Sequence, residues 1–179
     1  MTTVRKSVIT AMCIALCVVL PMAFHAIPNA GSIFLPMHIP ALLCGLITSW
    51  PFGLLCGLAG PLLSSLLTGM PPSAILPSMM VELAVYGLAA ALMMKYVKSG
   101  NLYADLYISL VTAMLAGRVI AGIAKALIFT PGKITLAAWV SSGFIVSWPG
   151  ILIQLAIIPS LVFALEKASL IPVRYKKSA

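Results

Sequence analysis

Charge is what this sequence has least of. Only 8% of its 179 residues are Asp, Glu, Lys or Arg, whereas a soluble domain is about a quarter charged. A chain so poor in charge cannot cover its own surface in water, which excludes an ordinary soluble domain. Acids are scarcer still, with three carboxylates against eleven Lys and Arg and a net charge of +8. No paired carboxylates occur, and neither Gly-x-Ser-x-Gly nor His-Glu-x-x-His is present. The two histidines, His25 and His38, lie near the outer ends of the first two apolar runs without a partner in sequence. An intramembrane enzyme is set aside on these absences, and no cofactor is expected.

Cysteine is also sparse. Cys13, Cys17, Cys44 and Cys56 all fall inside apolar runs, with no His or carboxylate at ligand spacing. They read as small packing residues rather than metal or redox ligands. No internal repeat and no low-complexity segment occurs.

What the chain has in abundance is apolar length. Hydrophobic residues make up 62% of it and the mean hydropathy is +1.15. Its apolar runs approach or reach the roughly 20 residues that carry a helix across a bilayer. Six spans are expected, at 6–26, 37–50, 52–68, 76–97, 104–129 and 144–168. The fold class is therefore an all-α membrane protein, a six-helix bundle forming one domain over residues 1–179, with lipid as its surroundings. The first run lacks a small-x-small cleavage site and reads as a retained helix. The second and third are short, and either extend into their loops or sit among the other helices.

The basic residues have a pattern. Arg5 and Lys6 precede the first span, Lys95 and Lys98 follow the fourth, and Lys167, Arg174, Lys176 and Lys177 follow the last. With an even number of spans, both termini fall in the cytoplasm, and Lys133 alone stands in an outer loop. Positions at helix ends explain the positive charge, so no nucleic-acid partner is expected. The outer loops "AIPNAGS", "TGMPPS" and "TPGKI" are rich in turn residues. They serve either as short connections or as rigid caps over a pocket.

Three charges fall inside spans: Glu82, Arg118 and Lys125. The other carboxylates have simpler roles, Asp105 at a helix N-terminus and Glu166 beside Lys167. In the expected topology Glu82 lies about six residues, roughly 9 Å, below the outer end of its helix. Lys125 lies about four residues and Arg118 about eleven below the outer end of theirs, and their spacing places them on one face. Tyr86 follows Glu82 by one turn, Gly117, Ala121 and Gly122 lie near Arg118, and Trp148 and Gln154 add polar tips on the sixth span. An ionised group at mid-membrane costs about 2.5–3.5 kcal/mol and seeks a partner. Glu82 can pair with Arg118 or with Lys125 and tie two helices together. Either pairing leaves a surplus cation, which suits a pocket for an anionic or zwitterionic solute; Lys125 can also reach the outer interface.

Small residues mark other places. Ser7, Ala11 and Ala15 recur every fourth position, a stripe that lets a second helix approach closely. Its partner lies within the bundle or outside it. Pro61 and Pro159 interrupt helices and free the carbonyls of Gly57 and Leu155.

Together these segments resemble the substrate-binding S components of energy-coupling factor (ECF) vitamin transporters. The likeness rests on Ala11-x-x-x-Ala15, on "PMHIPALLCGLITSWPFGLLCGLAGPLLSSLLTGMPP" (36–72), on "ELAVYGL" (82–88) and on "LYISLVTAMLAGRVIAGI" in the fifth span. It covers nearly the whole chain. The resemblance implies a subunit without an ATP site that captures a vitamin at the outer face. The subunit would then topple in the membrane when docked on a transmembrane coupling subunit driven by two ATPases. It further implies docking through Ala11 and Ala15, with Ser7 on the same stripe. The substrate site would lie in the outer halves of the fourth to sixth spans, where Glu82, Tyr86, Arg118, Lys125, Trp148 and Gln154 are the candidates. Pantothenate is the best-fitting vitamin. The three tryptophans speak against a thiamine binder; pyridoxine, folate, riboflavin, cobalamin and a queuosine precursor stay open. The competing reading is a solitary ion-coupled carrier using Glu82 as a proton site.

Overall fold

The computed structural model describes residues 1–24, 27, 29–132 and 134–175. His25, Lys133, Lys176 and Lys177 lie outside the described residues. All regular elements among the described residues are helical. They are α1 (Thr3–Ala23), α2 (Ala30–Phe34), α3 (His38–Ile47), α4 (Trp50–Thr68), α5 (Leu76–Tyr96), α6 (Leu102–Ala124), α7 (Leu136–Val140) and α8 (Trp148–Lys167). A π-helical turn, Lys125–Phe129, extends α6, and another, Ser141–Ile145, extends α7.

Six stretches are long and apolar enough to cross a membrane. In an apolar medium each backbone must satisfy its own hydrogen bonds, which is why the spans are helices. Caps fix where they start and stop. Thr2 and Asn101 accept the N–H groups of Arg5 and Tyr103 at the heads of α1 and α6. Pro occupies the first turn of α4, α5 and α8, where a missing N–H is harmless. Gly69 ends α4 in the left-handed region at φ 72°.

The second span is not the 37–50 helix expected from sequence. It starts earlier, as α2, bends through Leu35 (φ 51°) and continues as α3. Together Ala30–Ile47 is the most buried span, 67% of its apolar window, against 17% for α1. Burial rather than bilayer thickness thus sets how α3 is shaped. The expected 144–168 helix differs too: α8 begins at Trp148, and α7 with its π turn folds the preceding residues into a separate short arm.

Helix α5 is the central post, packed against α3, α4 and α6. The close approach has a specific cause. Gly87 of α5 faces Gly53 of α4 and Gly45 of α3, and a Cβ on any of the three would run into opposing backbone. Lipid tails are as apolar as side chains, so such tight packing is what holds membrane helices together. Two apolar clusters flank this contact. One joins α3, α5, α6 and α8 through residues such as Leu42, Leu106, Leu110 and Ile158. The other joins α1, α3, α4 and α5, and here the four cysteines, each at most 3% exposed, serve as small packing residues.

Both described ends of the chain meet at one end of the bundle, where Arg5 Nη2 donates to the carbonyls of Ser169 (3.2 Å) and Leu170 (2.5 Å). Asp105 does more there than complement a helix dipole. Fully buried, it accepts from Ser99 N and Oγ, from Arg174 Nε at 2.6 Å and from Tyr175 Oη at 2.7 Å. It thereby ties the C-terminal segment to the α5–α6 connection.

The glycine contact gives a stability prediction. Gly87→Ala should lower stability by about 1–3 kcal/mol through overpacking, read as a lower thermal midpoint of purified protein. Gly31→Ala, where no atom lies within 4 Å of the added Cβ, should leave the midpoint unchanged.

Candidate functional site

At the end of the bundle away from the termini the helices splay around a cavity of about 460 Å³. Three connections roof it. The α4–α5 connection folds inward because Ser64 Oγ donates to Met70 O (2.7 Å) and Ser65 Oγ to Pro71 O (2.8 Å). Those bonds set Met70, Pro71 and Pro72 on the cavity wall. The α1–α2 connection adds Phe24 and Asn29, and the α7 arm adds Trp139.

The polar floor is built from three helices and the turn before α8. Arg118 on α6 is 4% exposed and lines the cavity. Its Nε donates to Tyr86 Oη (2.9 Å), its Nη1 to Ser147 Oγ (3.0 Å), and its guanidinium stacks over Phe144 at 5.2 Å. Its Nη2 has no hydrogen-bond partner among the described residues. Ser147 can accept because its own hydroxyl proton goes to Gly143 O (2.7 Å). Tyr86 is fully buried beneath the cavity and donates to Glu82 Oε1 at 3.1 Å. Gly117 makes this possible, since a Cβ there would collide with the Tyr86 ring.

Glu82 therefore meets Arg118 mainly through Tyr86; its direct distance to Arg118 Nε is 3.9 Å. Of the two pairings open in the sequence, the structure brings Glu82 to Arg118 and not to Lys125. Lys125 does line the cavity, at the first residue of the π turn. Its ammonium makes no hydrogen bond or ion pair among the described residues. The cavity thus holds two side-chain cations and one carboxylate among its described residues.

His38, which the sequence left without a partner, opens α3 on the cavity wall. It is 2% exposed, its Nε2 lies 3.6 Å from Glu82 Oε1, and its ring meets Tyr86 edge-on at 5.4 Å. Neither of its nitrogens has a hydrogen bond among the described residues. A separation of 44 residues hides this neighbour from any local pattern. Trp139 was likewise unforeseen; its indole lies against Gly122, edge-on to Phe144 at 5.7 Å.

Two expected residues lie elsewhere. Trp148 is 58% exposed and does not line the cavity, because α8 starts there and turns the indole out of the bundle. Gln154 is fully buried a turn or more farther along α8, outside the cavity, with both amide atoms unpartnered among the described residues. Ser7, Ala11 and Ala15 are all exposed on α1, far from the floor and unpacked by the bundle.

The arrangement is equipped to hold a polar solute. A family model described as "ECF transporter, substrate-specific component" matches residues 5–172, nearly the whole chain. No curated protein and no solved structure matches it.

Tyr86 is the bridge on which the floor depends. Tyr86→Phe keeps the ring but removes the hydroxyl between Arg118 and Glu82, and should cost about 1–3 kcal/mol of stability. The thermal midpoint of the purified protein checks this. An unchanged midpoint would mean that Arg118 and Glu82 are held without it.

Proposed function

The chain belongs to the ECF transporter substrate-specific component family, and on that premise we propose that it captures an anionic or zwitterionic vitamin in the cavity above Arg118. Members of this family are multi-pass plasma-membrane proteins, not enzymes. They bind a small-molecule substrate and work with a module of a transmembrane coupling subunit and ATPases.

The observation that carries the substrate class is the charge count of the cavity. Arg118 and Lys125 face one carboxylate, and Glu82 already accepts from Tyr86. A ligand carboxylate or phosphate supplies the missing negative charge, in a site where desolvation strengthens a charge-assisted bond. Glu82 retains Oε2 for a ligand hydroxyl or amide, and His38 offers a second polar contact. Pantothenate, with a carboxylate at one end and hydroxyl and amide groups along its length, fits this layout best among the vitamins. Trp139 and Phe24, the aromatic residues on the cavity wall, supply the apolar contact.

In this reading the termini are cytoplasmic and the cavity opens outward. The bias of basic residues supports that orientation: Arg5, Lys6, Lys95, Lys98, Lys167 and Arg174 all lie at the end bearing the termini. The coupling subunit docks on the Ser7–Ala11–Ala15 stripe, and the subunit topples when that module, with its two ATPases, is engaged. The exposure of all three residues supports the docking reading, as does the low burial of α1.

Two experiments test the proposal. Mass spectrometry of the small molecule that co-purifies with the protein should find a carboxylate- or phosphate-bearing vitamin, and pantothenate binding should then weaken in Arg118→Ala or Lys125→Ala by about 1.5–3 kcal/mol. Neutral results in both variants remove the anion assignment. For docking, Ala11→Trp or Ala15→Trp should abolish uptake by the assembled transporter while ligand binding to the purified subunit stays intact. Unimpaired uptake in both variants assigns the stripe to lipid contact.

A further inference from the structure

A second cavity, larger at about 590 Å³, opens at the end of the bundle that bears the termini. It is separate from the substrate cavity and shares no lining residue with it. Six segments form it: the start of α1, the α3–α4 turn, the end of α5, the start of α6, the end of α8 and the C-terminal segment. Its walls divide by chemistry. Leu46, Leu92, Val162 and Ile171 make an apolar side, and Lys6, Ser49, Lys95 and Arg174 a polar one.

The charges in this cavity are unevenly committed. Arg174 is spent on structure: Nε goes to Asp105, Nη2 to Val97 O, and its backbone N–H to Glu166 Oε1 at 2.8 Å. That same bond engages Glu166, the one carboxylate on the wall. Lys6 has only a long bond to Ser49 Oγ (3.3 Å) and the Phe52 ring at 6.0 Å. Lys95 has no hydrogen-bond or ion-pair partner among the described residues, only the Tyr96 ring at 5.3 Å. Two ammonium groups on separate helices therefore face one space whose one carboxylate, Glu166, forms no ion pair with either among the described residues.

We infer that this cavity holds the phosphate headgroup of an anionic phospholipid, with Lys6 and Lys95 on the phosphate and Ser49 as a hydroxyl partner. The position selects a lipid over a free anion. The cavity sits where helices α1, α3, α4, α5, α6 and α8 start or end, the level of lipid headgroups for helices that span a bilayer, and the exposed Trp50 stands on its rim. Tryptophan and lysine at this level are the usual anchors of a membrane interface, and basic pockets between helices hold anionic headgroups. A zwitterionic headgroup brings its own cation and leaves the two lysines uncompensated.

The test uses the full-length protein released from membranes containing equal phosphatidylglycerol and phosphatidylcholine, with retained lipids counted by native mass spectrometry. Phosphatidylglycerol should be kept preferentially, and Lys6→Gln/Lys95→Gln should lower its retention about ten-fold. Lys98→Gln/Lys167→Gln removes the same charge from the same end outside the cavity and should retain lipid like the parent. Circular dichroism and the thermal midpoint establish that both double variants are folded. Equal retention of the two lipids overturns the assignment, and so does an equal loss in both double variants. Displacement of the lipid by millimolar inorganic phosphate would overturn it in favour of a free-anion site.

Discussion

The buried guanidinium of Arg118 is the constraint around which the upper half of this protein is arranged. A cation in an apolar bundle is tolerable only with partners on several sides. The partners come from three elements. Tyr86 arrives from α5, Ser147 from the turn before α8, Phe144 from the π turn after α7, and Glu82 stands behind Tyr86. Holding Arg118 therefore fixes the mutual positions of α5, α6, α8 and the α7 arm. The hollow above it is a consequence: the four elements converge on the guanidinium and then diverge beyond it.

That convergence needs room, and glycine provides it on both sides. Gly117 admits the Tyr86 ring, Gly122 admits Trp139, and the Gly45–Gly53–Gly87 contact lets α5 run close to α3 and α4. The same small-residue logic holds α1 through Gly60 and Cys17. Ser7, Ala11 and Ala15 are different, because nothing in the bundle fills the space they leave. An exposed stripe of small residues leaves room for close approach by lipid or by another helix.

Much of this was legible in the sequence, because the bilayer imposes rules that act locally. Span number and basic-residue bias follow from hydropathy and charge position. Arg118, Lys125 and Glu82 stood out because a charge in an apolar run is rare, and all three line one cavity. What escaped notice depended on contacts between distant segments. His38 meets Glu82 only after α3 folds back against α5. Trp139 fell between the expected spans and Trp148 looked like a pocket residue, since the boundary between α7 and α8 is set by packing and not by composition. Asp105 looked like a helix-end charge until the C-terminal segment returned to it with Arg174 and Tyr175. Gln154 looked like a pocket residue because polarity in a span is visible in sequence, whereas the direction of its side chain is not.

The two ends of the bundle solve the same electrostatic problem differently. At the terminal end Asp105 is matched in place by Arg174, Tyr175 and Ser99, so its charge is consumed in joining segments of the chain. At the other end Glu82 accepts one hydrogen bond, from Tyr86, and stands 3.9 Å from Arg118 and 3.6 Å from His38, while Lys125 has no partner among the described residues. A fully satisfied network rigidifies, while a partly satisfied one in low dielectric is a standing penalty relieved by whatever completes it. The incomplete network is the one that faces a cavity with a hydrogen-bonding floor and an aromatic wall. Helix α1 spans both regimes: its far end, at Pro21 and Phe24, borders that cavity, and its exposed stripe lies nearer the terminal end. It is also the least buried span. Part of the cavity wall at one end and the exposed small-residue stripe near the other are thus carried by a single helix.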